Sequence, residues 1–353
     1  GIYGLFLDPT YRPPAGAPNA GETYHLENQW AAIPQFFSTY AAKDLPLTYG
    51  LGIYSPFGGR ASWPQETGFR TVSTEGSVTD IAIHPAIAWK ITSTLSLGTG
   101  ITVNYAKIDL EQGLLRTPRP FPNYFRFVGD GWRVGYNVGV LWQPVDEISL
   151  GATFRSATTL RAEGRTEFEQ QPVIQPTERD ATTEYEFPLT VTVGISYRPT
   201  PDWNLEFNAD YADWSSFGKT TIRQRTPPPF PVLQNIDVTL GWQSSWIYAF
   251  GVTRILRHGW QVSGGYAFSE NSVPDHHYTP LAADLDRHVF SVGTGRRGKR
   301  IGFDVAYQFA YGPARTVSGS TPPSQPAQFA GQSADGRYEF FSHGLLVTGQ
   351  IDF

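Results

Sequence analysis

Among its 353 residues the chain has no cysteine and no methionine, and only 17% are charged. Without cysteine there is no disulfide framework, no thiol nucleophile and no zinc–thiolate site. Without an initiator methionine, Gly1 is expected to follow a segment removed upstream. No stretch approaches the roughly 20 continuous apolar residues of a membrane helix, which excludes a helical membrane protein. The start does not resemble a signal peptide. A net charge of only −5 offers no basic footprint for nucleic acid. The charged fraction falls below the roughly 25% usual for soluble domains. What is abundant is aromatic residues, 14%, with 36 Gly and 28 Pro, and the 40% hydrophobic content excludes a disordered chain.

The dominant period is two. Ile301, Phe303, Val305, Tyr307 and Phe309 alternate with Gly302, Asp304, Ala306, Gln308 and Ala310, and Trp203–Tyr211 and Leu345–Phe353 follow the same rule. Such alternation puts apolar side chains on one strand face and polar or tiny ones on the other. No segment runs convincingly at helical spacing. Fourteen strands are expected, roughly 1–10, 30–40, 45–55, 78–90, 94–110, 124–143, 147–163, 184–198, 202–223, 236–256, 258–269, 286–297, 299–312 and 338–353. Six short turns, such as Ala42-Lys43-Asp44 and Arg257-His258-Gly259, alternate with long Pro-, Gly- and Ser-rich connections at 11–29, 56–77, 111–123, 164–183, 224–235, 270–285 and 313–337. This asymmetry fits a transmembrane antiparallel up-and-down β-barrel, with short periplasmic turns and long extracellular loops.

The apolar face decides between water and membrane. Large residues fill it on nearly every strand, while the opposite face holds Gly, Ser, Thr, Asn and some charges. Fourteen strands cannot share one such core, so the apolar face is read as lipid-facing and the lumen as polar and roomy. Trp30, Trp89, Trp142, Trp203, Trp242, Trp246, Trp260, Tyr40, Tyr105, Tyr197 and Tyr266 gather near strand ends, as interfacial girdles do. The chain ends on Phe353 after an alternating strand, a common ending of outer-membrane barrels.

Several segments, in order along almost the whole chain, resemble the FadL/TodX family of outer-membrane transporters for long-chain fatty acids and other hydrophobic compounds. They are Trp30-Ala31-Ala32-Ile33-Pro34, Leu51-Gly52-Ile53-Tyr54-Ser55-Pro56-Phe57-Gly58, and Ile83–Lys90 followed by Leu95–Gly100. Gly129–Val140, Leu150–Ser156, Trp214-Ser215-Ser216-Phe217, Val273-Pro274-Asp275 and Asp286-Arg287-His288 continue the series. The resemblance implies a fourteen-stranded barrel normally plugged by an N-terminal hatch. It also implies capture of substrate outside and sideways release through a gap by a kinked third strand, without nucleotide or metal. The chain begins inside what would be the first strand, so residues 1–353 are expected to be one outer-membrane barrel lacking the hatch.

Candidate substrate-binding residues are Leu114, Leu115, Phe121, Tyr124, Phe125 and Phe127, with Arg116, Arg119 and Arg126 among them to pair with a carboxylate head group. The alternative is that these aromatics close the loop on itself and the arginines bind lipid phosphates. Gly50, Gly52, Pro56, Phe57 and Gly58 mark the expected strand irregularity, since Pro breaks a ladder and Gly permits a bulge. By resemblance this is the lateral gate; otherwise it is an ordinary strand end. His84, Arg133, Arg155, Glu206, Asp210 and Asp304 take lumen parity and are expected to form charge pairs across it. Glu206 and Asp210, four apart on a strand, lie about 13 Å apart, too far for a glycosidase pair. Adjacent His276 and His277 point opposite ways on an extended loop with no third ligand, so no metal is expected. Ser215 lacks a Gly-x-Ser-x-Gly elbow, so no hydrolase is supported.

The function expected is non-enzymatic, cofactor-free passive uptake of fatty acids or aromatic hydrocarbons across a Gram-negative outer membrane. The expected partners are a hydrophobic ligand, outer-membrane lipid and lipopolysaccharide; no nucleic acid is expected, and the chain is expected to be a monomer. The alternative is a non-specific porin-type diffusion channel for small solutes.

Overall fold

Residues alternating large and small along a strand can pave one face with apolar side chains only if neighbouring strands keep register. The computed structural model describes residues 1–227, 234–324 and 331–353, so parts of the expected long connections at 224–235 and 313–337 lie outside the described residues. In it the strands join into one antiparallel sheet whose last strand returns to its first. The wall begins with β1 (Ile2–Arg12), which carries the two-residue rung β2 (Tyr24–His25). The second pass is broken into β3 (Trp30–Pro34) and β4 (Phe36–Ala41), and the third into β5 (Leu47–Tyr54) and β6 (Gly58–Ser62). β7 (Glu75–Lys90), β8 (Leu95–Gly113) and β9 (Asn123–Val145) are long and unbroken.

The next four passes are each interrupted. They are β10 (Ile148–Arg155) with β11 (Thr158–Gln170), and β12 (Ile174–Phe187) with β13 (Thr190–Thr200). Then come β14 (Trp203–Ala212) with β15 (Lys219–Gln224), and β16 (Asn235–Thr239) with β17 (Ser245–Ile255). β18 (Trp260–Ser269), β19 (Arg287–Arg297), β20 (Ile301–Val317) and β21 (Gly336–Ile351) complete fourteen passes among the described residues. β21 closes on β1 from Ile2↔Val347 to Arg12↔Arg337.

Strand parity sorts the two faces. On β9, Trp132, Val134, Tyr136, Val138 and Trp142 are exposed on the outside, while Arg133, Gly135, Asn137 and Gly139 face the lumen. Trp132 and Trp142 stand ten residues apart, the length of about 9–11 residues a tilted strand needs to cross a bilayer core. They mark the two aromatic belts, and Tyr105 lies tilted against Trp132 at the outer one (centroids 5.3 Å). Trp242, expected in a girdle, instead packs against Trp214 and Phe217 at 5.3 and 4.8 Å, because the wall turns inward there.

The lumen is not uniformly roomy. Its long-loop half is filled by two apolar clusters. One gathers Tyr11, Trp63, Phe69, Tyr278, Tyr338 and Phe340. The other gathers Phe125, Phe127, Leu160, Tyr185, Phe187 and Ile236. Each such side chain removed from water contributes about 1.5–3 kcal/mol, so this half is a packed core. Toward the short turns, facing glycines such as Gly98–Gly139 and Gly151–Gly194 leave the lumen open.

The segment 164–183 is not the long loop expected. β11 and β12 continue as a hairpin beyond the membrane, pairing as far as Gln170↔Ile174. Its outward side chains are charged, with Arg165 bridging Glu167 (2.9 Å) and Glu178 (3.7 Å). Outside the bilayer an outward strand face needs no apolar residue, so the alternation that marks membrane strands is missing.

Candidate functional site

The wall has a slot. β3 pairs with β1 (Phe6↔Trp30 to Ile2↔Pro34), and β4 pairs with β5 (Phe36↔Ile53 to Ala41↔Thr48). β6 pairs with β7 (Gly58↔Thr79 to Ser62↔Glu75). Among the described residues no ladder joins β3 to β6, so the second and third passes separate above the Phe36–Ile53 rung and meet again where the Glu27 amide donates to the Ser62 carbonyl at 2.9 Å. Pro34 and Pro56 have no N–H to offer such a ladder. Ser55-Pro56-Phe57 forms a kink that is tied to β7: the Ser55 hydroxyl donates to the Asp80 carbonyl at 2.6 Å and the Phe57 carbonyl at 3.1 Å. Gly58 follows at φ +153°, a conformation only glycine adopts without strain. Ile53 lies on the rung of Ile83 and Val103, one outward position below Tyr105, so the slot begins just inside the outer aromatic belt, and Asp80, paired with Ala106, stands beside that belt.

Pro56, Phe57 and Gly58 therefore stand at the break. Gly50 and Gly52 lie below it in regular strand, Gly50 between Thr39 and Ala86 and Gly52 between Phe37 and His84. The role of Gly52 is space: a Cβ there would come within 3.1 Å of the Phe37 ring.

Behind the kink lies a buried ion pair. Arg133 meets the Asp80 carboxylate at 2.5 Å, with side chains 4% and 0% exposed. Arg133 also donates to Thr158, and its guanidinium carbon lies 4.0 Å from the Phe187 ring centroid. The Phe57 amide is hydrogen bonded to Asp80, which fastens the kink to the same carboxylate. Below is a polar network: His84 bonds Asn137 at 2.8 Å, and Arg155 donates to the Tyr54 hydroxyl at 2.6 Å, 3.4 Å from His84.

The remaining lumen charges are not joined across the lumen as expected. Glu206 accepts from Asn204, Asp210 from Thr192 and Asn208, and Asp304 from Gln261 and Arg297. Where the lumen is wide, neighbours on the same stretch of wall are the groups within reach. Asp80 and Tyr54, which organise the charges near the kink, carry no local signal beyond lumen parity.

A second element is a cavity of about 390 Å³ among the long loops, lined by Gln65, Arg70, Glu111, Arg119, Phe121 and Tyr124, with Pro118, Pro120, Pro122 and Asn123. Arg70 is its buried floor. It donates to the Gln65 side chain, the Leu115 carbonyl, and both the side chain and carbonyl of Asn123, at 2.7–3.1 Å. Burial pushes the Glu111 carboxyl up, against a hydrogen bond from Thr74 and the nearby Arg126, and raises the Tyr124 hydroxyl too.

Arg119, Phe121 and Tyr124 line the cavity. Phe125 and Phe127 face the lumen inside the second cluster, with Leu114 packed against it. Leu115 contributes its carbonyl to Arg70, and Arg116 its carbonyl to Gln332. Arg126 lies outside, clamped by Asp109 at 2.5 and 2.7 Å and by Glu167 at 3.7 Å. Arg70 itself has no alternating strand around it, so its role is visible only once the loop is folded.

This chain has counterparts among known sequences and solved structures. Residues 17–345 match the family described as outer membrane protein transport protein (OMPP1/FadL/TodX). The chain belongs to this family. The long-chain fatty acid transport protein of Escherichia coli is 20% identical, over 94% of this chain and 75% of that protein. A solved FadL homologue of Pseudomonas aeruginosa superposes with a TM-score of 0.84 at 17% identity, covering all of this chain and 89% of its own. The toluene transporter TodX of Pseudomonas putida superposes at 0.67 and 13% identity, covering 100% and 88%. As a FadL-family protein, this chain is a Gram-negative outer-membrane β-barrel and a transport protein rather than an enzyme.

Proposed function

We propose that this barrel carries hydrophobic compounds, long-chain fatty acids or aromatic hydrocarbons, passively across the outer membrane. Solute is captured in the loop cavity at Arg70, Phe121 and Tyr124, passes the apolar clusters, and leaves sideways between β3 and β6. The slot carries the reading, because it begins beside the outer aromatic belt and opens from an apolar interior. The barrier it relieves is the polar lipopolysaccharide leaflet. A solute burying as much area as a Phe side chain, about 150–250 Å², gains about 4–6 kcal/mol at 25 cal/mol per Å². No nucleotide, cofactor or metal enters this scheme. The lipid-facing belts meet membrane lipid and lipopolysaccharide, and a wall that closes on itself within one chain supports a monomer.

The test is reconstitution in lipid vesicles with oleate and toluene as probes. Saturable, solute-selective binding and uptake are expected, with little ion current. A steady open conductance without solute selectivity would instead establish a diffusion pore.

A further inference from the structure

Four adjacent passes break on one rung. Arg155 pairs with Thr190, Thr190 with Ala212 and Ala212 with Ser245, and each of β10, β13, β14 and β17 stops there. Between β14 and β15 the chain makes a 3-10 turn, Trp214–Ser216, and the Leu240 and Gly241 amides follow it inward to the Gly218 carbonyl. The turn is braced: Asp213 accepts from Ser215 at 2.5 Å and from Ser244 at 2.9 Å, and Tyr211 donates to Ser244.

This braced turn reaches across the lumen. The Trp214 ring meets Phe57 edge-on, with centroids 5.6 Å apart and planes at 78°. Phe57 also touches Phe187 at 5.3 Å, and Trp214 is backed by Trp242 and Phe217. Phe57 belongs to the third pass and Trp214 to the ninth, with five passes between them one way round and seven the other. Nearly opposite walls therefore touch at the kink that bounds the slot.

We propose that Trp214 is the positioning residue of the slot. Bearing on Phe57 from the opposite wall, it holds the Ser55–Phe57 kink inward, across the route from the apolar cluster to the opening. A solute passes when the two rings part. This builds on the uptake reading for its transport arm only.

Hydrogen exchange tests it without transport. In Trp214→Ala, exchange over residues 55–62 is expected to quicken about tenfold, while residues 137–155 stay as in the parent. Trp214→Phe, which keeps an aromatic edge, is expected to restore slow exchange. Unchanged exchange over 55–62, or an increase spread evenly round the wall, overturns the proposal. The absence of cysteine supplies a clean second arm. Phe57→Cys combined with Trp214→Cys is bridged by a short bifunctional thiol reagent in vesicles, and toluene uptake is measured. Bridging is expected to abolish uptake and reduction to return it; equal uptake in bridged and reduced protein overturns the proposal. If the parent chain itself takes up no toluene, the uptake reading fails, and exchange over 55–62 alone decides the role of Trp214.

Discussion

Arg133 and Asp80 form an ion pair sealed from solvent, and the same arginine lies against the face of Phe187. Taking both charges from water costs several kcal/mol each, which their attraction only offsets when the geometry is good. Here Arg133 Nε has no hydrogen-bond partner among the described residues, so the pair is not fully repaid. Asp80→Leu or Arg133→Leu alone strands one buried charge and is expected to destabilise the barrel by about 3–5 kcal/mol. The double variant is expected to be markedly milder than either. Thermal unfolding in detergent followed by circular dichroism checks this; a double variant as unstable as the sum of the singles refutes it.

Gly58 and Gly59 are adjacent, but only one is constrained. Gly58 sits at φ +153°, and a Cβ would come 3.1 Å from the Val78 carbonyl; at Gly59 nothing lies within 4 Å. Gly58→Val is expected to cost about 1–3 kcal/mol and to alter solute release, because the kink must move. Gly59→Ala is expected to stay within about 0.5 kcal/mol. Unfolding and uptake measured on both variants separate backbone strain from a general effect at the slot.

The wall was legible in the sequence because lipid demands an apolar residue at every outward position, and β9 shows it from Trp132 to Trp142. Two features escaped for physical reasons. Above the bilayer that demand lapses, so the charged hairpin around Arg165 and Glu178 reads as loop. Inside the lumen, partners meet between strands or across the barrel, so nothing local joins Asp80 to Arg133 or Phe57 to Trp214. Trp214 and Trp242 carry the same composition as belt residues, and only the inward break of the wall distinguishes them. The glycines at 50 and 52 suggested irregularity, yet both lie in a regular strand, where Gly52 makes room for the Phe37 ring, while the prolines placed the break.

The loop cavity rests on Arg70, whose planar fork serves three residues at once. Arg70→Ala leaves the Asn123 and Gln65 side-chain oxygens and the Leu115 carbonyl without this donor, at about 1–3 kcal/mol for a buried group. Arg70→Lys cannot reproduce the fork, so both variants are expected to weaken oleate or toluene binding about tenfold or more while barrel unfolding changes little. Fluorescence titration gives the affinity. Full affinity in Arg70→Ala would remove the cavity from the capture step.

Acid is expected to loosen the loop that Asp335 holds. Partial burial alone would raise the Asp335 carboxyl, but Ser320, through hydroxyl and amide, and the Gly319 amide hold it below the usual carboxylate range. The Asp335 carbonyl also receives the Tyr11 hydroxyl, tying this loop to the first apolar cluster. For a depressed carboxyl, the stabilisation is complete above the unfolded value of about 3.9 and is lost as pH falls through the lower folded value. Exchange of residues 318–324, corrected for its intrinsic pH dependence, is therefore expected to be flat from neutrality down to about pH 4 and to quicken below it. Asp335→Asn is expected to show the fast exchange already at neutral pH and to lose the pH response. Identical profiles for the two proteins would show that another group holds the loop.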